Sequence, residues 1–212
     1  MNSSRLIKKT FDYGEVHRIR EGIVGELKRH NLKTVMVASP HDDAGNTFLV
    51  SVLGSNIARF GAAMRVLLVD LNMRRPELHL SFGLEIGKGF SAVASGLLPW
   101  REALKSTNLK DLQIMTAGRV DTDLSPFLNR SLLDNLIREM KEEFDLILFD
   151  TSPLLIHNRN NVDPTLLSLL SDMVVLVVQD KRTTKAQLED AIAAIPQGST
   201  KIRGIVYNHQ FQ

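Results

Sequence analysis

Short apolar runs rich in Val, Ile and Leu alternate along the chain with longer segments whose apolar residues recur at helical spacing. Six of these runs predict strands, at residues 33–38, 65–70, 112–116, 145–150, 173–178 and 203–207. Helices are predicted at residues 15–30, 47–60 and 184–195 and within 124–143. Because strands that alternate with helices are typical of parallel sheets covered on both faces, we expect an α/β fold with a mostly parallel central sheet flanked by helices. The 212 residues suffice for one domain, which we expect to span 1–212.

Polar residues follow three of the predicted strands at the point where each strand ends. These residues are Ser39, Asp70 and Asp150. In open α/β sheets, ligands bind at the edge formed by the carboxyl ends of the strands. The sequence therefore predicts a ligand site at this edge.

The loop after the first predicted strand resembles a phosphate-binding loop in part. Such a loop has the pattern G-x-x-x-x-G-K-[ST], in which backbone N–H groups and a lysine bind phosphate and a hydroxyl holds Mg²⁺. Here Gly45 and Thr47 match, Asn46 replaces the lysine, and Pro40 stands at the first glycine position. Taken alone, a Gly and a Thr before a helix are also compatible with a simple helix cap.

Two acids strengthen the nucleotide-binding interpretation. Asp70 ends an apolar strand and is followed by Arg74, Arg75 and a proline, and Asp150 ends a second apolar strand. An Asp at such a position can hold Mg²⁺ or orient an attacking group, whereas a single Asp there is also a common turn residue. Two such acids together with the loop favour a nucleotide site.

The motifs KTVMVASP…GNTF, RVLLVDLNMRRP, FDLILFDTSPLL and GIVYN occur in this order within residues 15–208. This arrangement resembles the cytoplasmic domain of bacterial tyrosine kinases of capsule and exopolysaccharide export, which belong to the MinD/ParA superfamily of P-loop ATPases. The resemblance implies ATP or ADP and Mg²⁺ as ligands. The implied nucleotide-binding residues are Gly45, Asn46, Thr47, Arg74 and Asn208. The implied metal ligands are Thr47, Asp70 and Asp150, of which Asp70 and Asp150 would also be catalytic.

Several departures from the family pattern fall on the residues that would carry the chemistry. Asn46 removes the positive charge of the phosphate-loop lysine, and a lost charge-assisted hydrogen bond costs roughly 1.5–3 kcal/mol. Asp42 and Asp43 add negative charge to a loop that should attract an anion, and Asn72 replaces a second acid. The sequence therefore favours a domain with weak or no ATP turnover.

The oligomerisation and substrate features of the family are also incomplete. Of its E-x-x-R-x-x-R motif, Glu15 and Arg18 are present, but Glu21 replaces the last arginine, so homo-oligomer formation is left open. The chain has two tyrosines, Tyr13 and Tyr207; we expect Tyr207 to lie on a buried strand, and no tyrosine-rich tail is expected before Gln212.

Composition adds few constraints. The net charge of +2 and the absence of a basic stripe argue against nucleic acid as a partner, and the absence of cysteine excludes disulfides and thiolate metal sites. No signal peptide or membrane-spanning run is visible, so we expect a cytoplasmic protein, recruited to the inner membrane only by a partner. The resemblance implies that this partner is a membrane chain-length determinant or polysaccharide co-polymerase.

Three functional hypotheses remain from the sequence. The favoured one is a degenerate kinase-like domain that regulates exopolysaccharide or capsule biosynthesis and export by contact with that membrane partner. The second is an active ATP-dependent protein tyrosine kinase or ATPase of the same family. The third is a positioning ATPase of the MinD/ParA type.

Overall fold

A seven-stranded sheet forms the centre of the computed structural model, which describes residues 14–61, 63–196 and 201–209. Its strands are β1 (Thr34–Ala38), β2 (Val66–Asp70), β3 (Leu104–Ser106), β4 (Leu112–Met115), β5 (Leu146–Asp150), β6 (Met173–Gln179) and β7 (Ile202–Asn208). Every residue of β1, β2, β5 and β6 is buried, as expected for strands with helices on both sides.

The strand order is β3-β4-β2-β5-β1-β6-β7. All neighbours pair in parallel except β3, which pairs antiparallel with β4 at the edge of the sheet. The predicted α/β fold with a mostly parallel sheet is therefore confirmed. The order places β2, β5 and β1 side by side, and these strands carry Asp70, Asp150 and Ser39 at or just beyond their ends.

Helices cover both faces of this sheet. The helices are α1 (Gly14–His30), α2 (Asn46–Phe60), α3 (Leu78–Ser81), α4 (Phe90–Ala94), α5 (Arg130–Glu143), α6 (Pro164–Leu170) and α7 (Lys185–Ala194), with a 3-10 turn at Trp100–Ala103. Apolar residues of α1, α2 and α3 form one core layer with the inner strands. Those of α4, α5, α6 and α7 form the other layer, so the loops at the strand ends lie between two packed helical layers.

The structure adds two elements to those predicted and corrects one expectation. Strand β3 was not predicted, because it has only three residues and none of them is buried. Helix α6 was not predicted either, although Asp163 caps it and Pro164 opens it, which is a recognised start signal. Tyr207 lies on the edge strand β7 and is 62% exposed, so the expectation that it is buried is wrong. Tyr13 lies outside the described residues.

The side chain of Arg20 points from α1 toward α2. It is only 7% exposed and donates to Asn56 Oδ1 at 3.3 Å, and its guanidinium lies 5.8 Å from the centre of the Phe60 ring. Arg20 therefore fastens two helices together and does not supply the missing surface arginine of the oligomerisation motif.

Within the described residues, no helix has the length and apolar character needed to cross a membrane.

Asp172 ties the amino end of β1 to β6 and α5. Its Oδ2 accepts from the backbone N–H groups of Lys33 and Thr34 at 2.9 and 3.0 Å, and its Oδ1 accepts from Lys141 Nζ at 2.8 Å. Partial burial raises the pKa of Asp172, but the lysine and the N–H groups outweigh burial and leave that pKa below its ordinary value.

Asp172→Asn should therefore lower the free energy of unfolding at pH 7 by about 1–3 kcal/mol, since it replaces charge-assisted hydrogen bonds. Because the folded-state pKa is depressed, the difference should be present above the ordinary value of 3.8 and should shrink as pH falls below it. Urea unfolding at pH 7 and pH 3 measures this, with the exposed Asp190→Asn as control. Equal stability of the wild type and the variant at pH 7 would contradict the assignment.

Candidate functional site

The carboxyl ends of β1, β5 and β2 bring the predicted site residues to one place. Asp70 and Asp150 are direct register partners on β2 and β5, and Val37 of β1 pairs with Asp150 on its other side. Because neighbouring strands lie about 4.8 Å apart, the two carboxylates end side by side beneath the loop that follows β1. The predicted convergence of strand ends is therefore present in the structure.

The loop from Ser39 to Gly45 leads directly into α2. Gly45 is the residue before the helix and has a φ of +108°, a conformation that side-chain-bearing residues rarely adopt. Asn208, at the end of β7, donates from Nδ2 to the carbonyl of Ala44 at 2.8 Å. A Cβ on residue 45 would lie 2.4 Å from that Nδ2. The backbone conformation thus favours glycine, a side chain at this position would also displace the Asn208 amide, and Asn208 braces the loop from the side of the sheet.

Asn46 opens α2 at the position of the lysine in the phosphate-loop pattern. Its side chain turns back toward β5 and donates from Nδ2 to the carbonyl of Thr151 at 3.3 Å. The residue is 8% exposed, and its Oδ1 has no hydrogen-bond partner. The amide is neutral and tied to the end of β5, so it supplies no charge to the loop.

The two carboxylates beneath the loop differ in their partners. Asp70 accepts from the backbone N–H groups of Asn72 at 3.1 Å and Leu78 at 3.3 Å. Neither oxygen of Asp150 has a partner at hydrogen-bond geometry. Both residues are fully buried, and an unpaired buried acid is costly when it is ionised. This arrangement leaves Asp150 available to a cation.

The pKa values of both acids respond to this environment. Burial raises the pKa of Asp150 to about 7, while the nearby side chain of Thr47 opposes part of the rise. Burial also raises the pKa of Asp70 well above its ordinary value, and the adjacent Asp150 raises it further. Such shifts are typical of carboxylates that share a site without a neutralising cation.

The loop's own acids are paired with arginines from two other loops. Asp42 accepts from a terminal nitrogen of Arg74, and Asp43 accepts from Arg75 at 3.0 Å. Arg182, in the loop after β6, brings a terminal nitrogen to 3.9 Å from the other oxygen of Asp43. The two carboxylates of the loop therefore engage three arginines, with hydrogen bonds from Arg74 and Arg75 and a longer ion pair to Arg182.

His41 fastens the same loop to the segment after β6. Its Nδ1 donates to the carbonyl of Asp42 at 2.8 Å, and its Nε2 lies 2.8 Å from the hydroxyl of Thr183. That hydroxyl also accepts from the backbone N–H of Gln179 at 2.8 Å. The loop is thus held in place by β7, by the segment after β6 and by the arginines that follow β2.

A cleft of about 240 Å³ opens above these residues. Gly45, Asn46 and Thr47 line it, whereas Asp70 and Asp150 lie beneath its floor. Arg74 and Asn208 do not line the cleft and instead contact the loop itself. Among the residues that the structure describes, no group of three or more His, Asp or Glu side chains could hold a metal by itself. A cation here would be held by the two acids together with other oxygens, such as the hydroxyl of Thr47 or water.

Sequence reasoning missed three residues at this site: Glu77, Arg182 and Thr183. Glu77 lines the cleft, and the other two contact the phosphate loop through Asp43 and His41. The available signal was that the segment after β6 also starts at the carboxyl edge of the sheet, where ligands of such folds bind.

The chain is similar in sequence to bacterial tyrosine-protein kinases. No protein-family model matches the chain. The tyrosine-protein kinase YwqD of Bacillus subtilis is 26% identical over 200 residues, which cover 94% of this chain and 82% of YwqD. The tyrosine-protein kinase ptk of Acinetobacter johnsonii is 25% identical over 180 residues, which cover 85% of this chain and 24% of ptk. The chain thus matches most of the first relative and a limited part of the second.

Solved structures with similar folds include the chimerical protein CapA2B2, with a TM-score of 0.85 and 22% identity over 99% of this chain and 90% of the other. The kinase domain of Escherichia coli ETK gives a TM-score of 0.82 at 21% identity, covering 93% and 76%. MinD of Pyrococcus horikoshii, complexed with Mg-ADP, gives 0.64 at 20% identity, covering 83% and 70%. The chain is therefore homologous to bacterial tyrosine-protein kinases and has the fold of MinD-type P-loop ATPases, as its sequence predicts.

Proposed function

We propose that this chain is a degenerate P-loop domain of the tyrosine-kinase type that acts in exopolysaccharide or capsule biosynthesis and export with weak or no ATP turnover. The observation that carries this proposal is the state of the positive charge around the phosphate loop. Asn46 is neutral and tied to Thr151, while Arg74 and Arg75 are engaged by Asp42 and Asp43. Phosphoryl transfer depends on positioned positive charge, which this arrangement does not supply.

The residues proposed for the metal fit a magnesium ion. The oxygens of Asp150 are buried and unpartnered, Asp70 lies beside them, and Thr47 stands at the start of α2. Mg²⁺ prefers carboxylate, hydroxyl and water oxygens, and it would neutralise the two buried acids. When bound, Mg²⁺ would screen the charge of a nucleotide's phosphates, and Thr47, Asp70 and Asp150 would hold it. Retained metal ligands beside a neutral Asn46 support nucleotide affinity that is reduced rather than abolished.

The proposed partner is a membrane chain-length determinant or polysaccharide co-polymerase. The support is the homology to kinases and the match to a limited stretch of the much longer ptk, which agrees with this domain working next to other polypeptide. A regulatory domain of this kind would act through contact, so its effect would not require hydrolysis.

The second candidate is an active tyrosine kinase or ATPase. The observation that favours it is the survival of Thr47, Asp70 and Asp150 together at the site. In that case a cation from elsewhere would replace the missing lysine. For the third candidate, a MinD/ParA-type positioning ATPase, the shared fold is the one observation in favour.

A lysine at position 46 should supply the positive charge that the loop lacks there and strengthen nucleotide binding. Asn46→Lys should bind Mg-ATP about ten- to a hundredfold more tightly than the wild type, since a charge-assisted hydrogen bond contributes roughly 1.5–3 kcal/mol. Isothermal titration calorimetry measures this, with the uncharged Asn46→Gln as the matched control. Tight Mg-ATP binding by the wild type, with turnover that Asp150→Ala removes, would instead establish the second candidate.

The buried acids should make stability depend on pH. Because the folded-state pKa of Asp150 is raised from 3.8 to about 7, its stabilising contribution is present at low pH and is lost as pH rises toward and through 7. Asp150→Asn should remove much of this loss. At pH 8 its free energy of unfolding should exceed that of the wild type by on the order of 2–4 kcal/mol.

Urea titrations from pH 5 to pH 8, with and without Mg²⁺, measure this dependence. Mg²⁺ should stabilise the wild type at pH 8 but not Asp150→Asn, because the ion neutralises the carboxylate that the variant lacks. If the free energy of unfolding of the wild type is the same at pH 5 and pH 8, the raised pKa of the buried Asp150 beside Asp70 is contradicted.

A further inference from the structure

We propose that Asp43, assisted by Asp42, is a built-in competitor for anions: its carboxylate occupies the arginines that would otherwise bind the phosphates of a ligand. The inference rests on the proposed function, because it concerns the same cleft. It differs in cause, since it assigns the weak affinity for phosphate to charges that are present as well as to the lysine that is absent.

Geometry supports this role for Asp43. Its two oxygens face two arginines from separate segments, with Arg75 at 3.0 Å and Arg182 at 3.9 Å. Asp43 and Arg75 both line the cleft, so the pair lies where a ligand would enter. A guanidinium binds carboxylates and phosphates through the same kind of N–H donor, so Asp43 competes with a phosphate for the Arg75 nitrogen that it occupies and offsets the charge of both arginines.

Asp42 supports the arrangement from the neighbouring position. Its carboxylate engages Arg74, and its carbonyl accepts from His41, which reaches Thr183 next to Arg182. The two arginine-bearing segments, after β2 and after β6, are thereby held toward the loop. Removing the charge of Asp43 would leave these segments in place, weaken the hydrogen bond from Arg75 and leave the charge of Arg182 without its nearby carboxylate; Arg182 would keep its hydrogen bond to Gln179 Oε1 at 3.3 Å.

The ion pairs of Asp43 with Arg75 and Arg182 are weak enough for a phosphate ligand to displace the carboxylate. The side chains of Asp43, Arg75 and Arg182 are 53%, 47% and 54% exposed. Ion pairs this exposed are weak and sensitive to salt. A polyanion such as a nucleotide's phosphates can therefore exchange with the carboxylate, and Glu77, which also lines the cleft, remains as a fixed negative charge in both states.

Asp43 also offers a clean substitution. It has a φ of +60°, and Asn tolerates this left-handed conformation as well as Asp does. Asp43→Asn therefore removes one charge with little change in shape or backbone strain. The exposed Asp190→Asn on α7 alters the net charge equally, away from the cleft.

Asp43→Asn should bind magnesium pyrophosphate and Mg-ADP about three- to tenfold more tightly than the wild type and the Asp190→Asn control, by calorimetry at low salt. The gain should shrink as NaCl is raised to 0.5 M and should be lost in Asp43→Asn/Arg75→Gln/Arg182→Gln. These readouts would not move if Asp43 served only to shape the turn. Unchanged thermal unfolding verifies that each variant is folded.

The outcomes separate the inference from the proposed function. If Asn46→Lys binds Mg-ADP and Asp43→Asn gains nothing, the competitor role is wrong and the proposed site stands. If Asp43→Asn gains affinity but the triple variant keeps that gain, the arginines are not the displaced partners and the inference also fails. If no variant binds either ligand, including Asn46→Lys/Asp43→Asn, then the cleft is not a phosphate site and both proposals are overturned.

Discussion

The parallel pairing of β2, β5 and β1 is the constraint on which the site depends. It sets Asp70 beside Asp150 and brings the loop after β1 above both of them. Two carboxylates fixed on adjacent buried strands cannot move apart or reach water, so their mutual repulsion has to be relieved by protons or by a cation. Because of this register, protons or a cation stabilise the two acids at this edge of the sheet.

The surroundings supply this positive charge only in part. The lysine position carries Asn46, whose amide is bound to Thr151, and the nearby arginines are matched by Asp42 and Asp43 above the buried acids. Two of the three arginines at the loop are therefore hydrogen-bonded to its own carboxylates, whereas the oxygens of Asp150 below have no hydrogen-bond partner among the described residues. Under the proposed function, this separation would reduce the attraction of the cleft for an anion.

The loop's shape is preserved by contacts that do not involve a ligand. Asn208 braces Ala44 next to Gly45, whose positive φ favours glycine, and His41 joins the loop to Thr183. Contacts from three other segments hold the loop in its conformation, although Asn46 replaces the lysine that binds phosphate in the phosphate-loop pattern.

The sequence by itself determined the fold class, the central strands and the convergence of Asp70, Asp150 and the loop at one edge, because buried parallel strands have continuous apolar runs with polar residues at their ends. It also identified Asn46 as the missing charge. It could not assign the short edge strand β3, which lacks an apolar run, or the exposure of Tyr207, since an edge strand and an inner strand have similar local sequences.

Only the tertiary structure decided how the loop's charges are used. The pairing of Asp43 with Arg182 joins residues far apart in sequence, and no periodic pattern predicts which carboxylate a long, flexible arginine side chain will contact. Likewise, the inward turn of Asn46 and the bracing role of Asn208 depend on where the ends of β5 and β7 lie in space. Apolar patterning fixes the order of strands and helices, whereas contacts between loops depend on their arrangement in three dimensions.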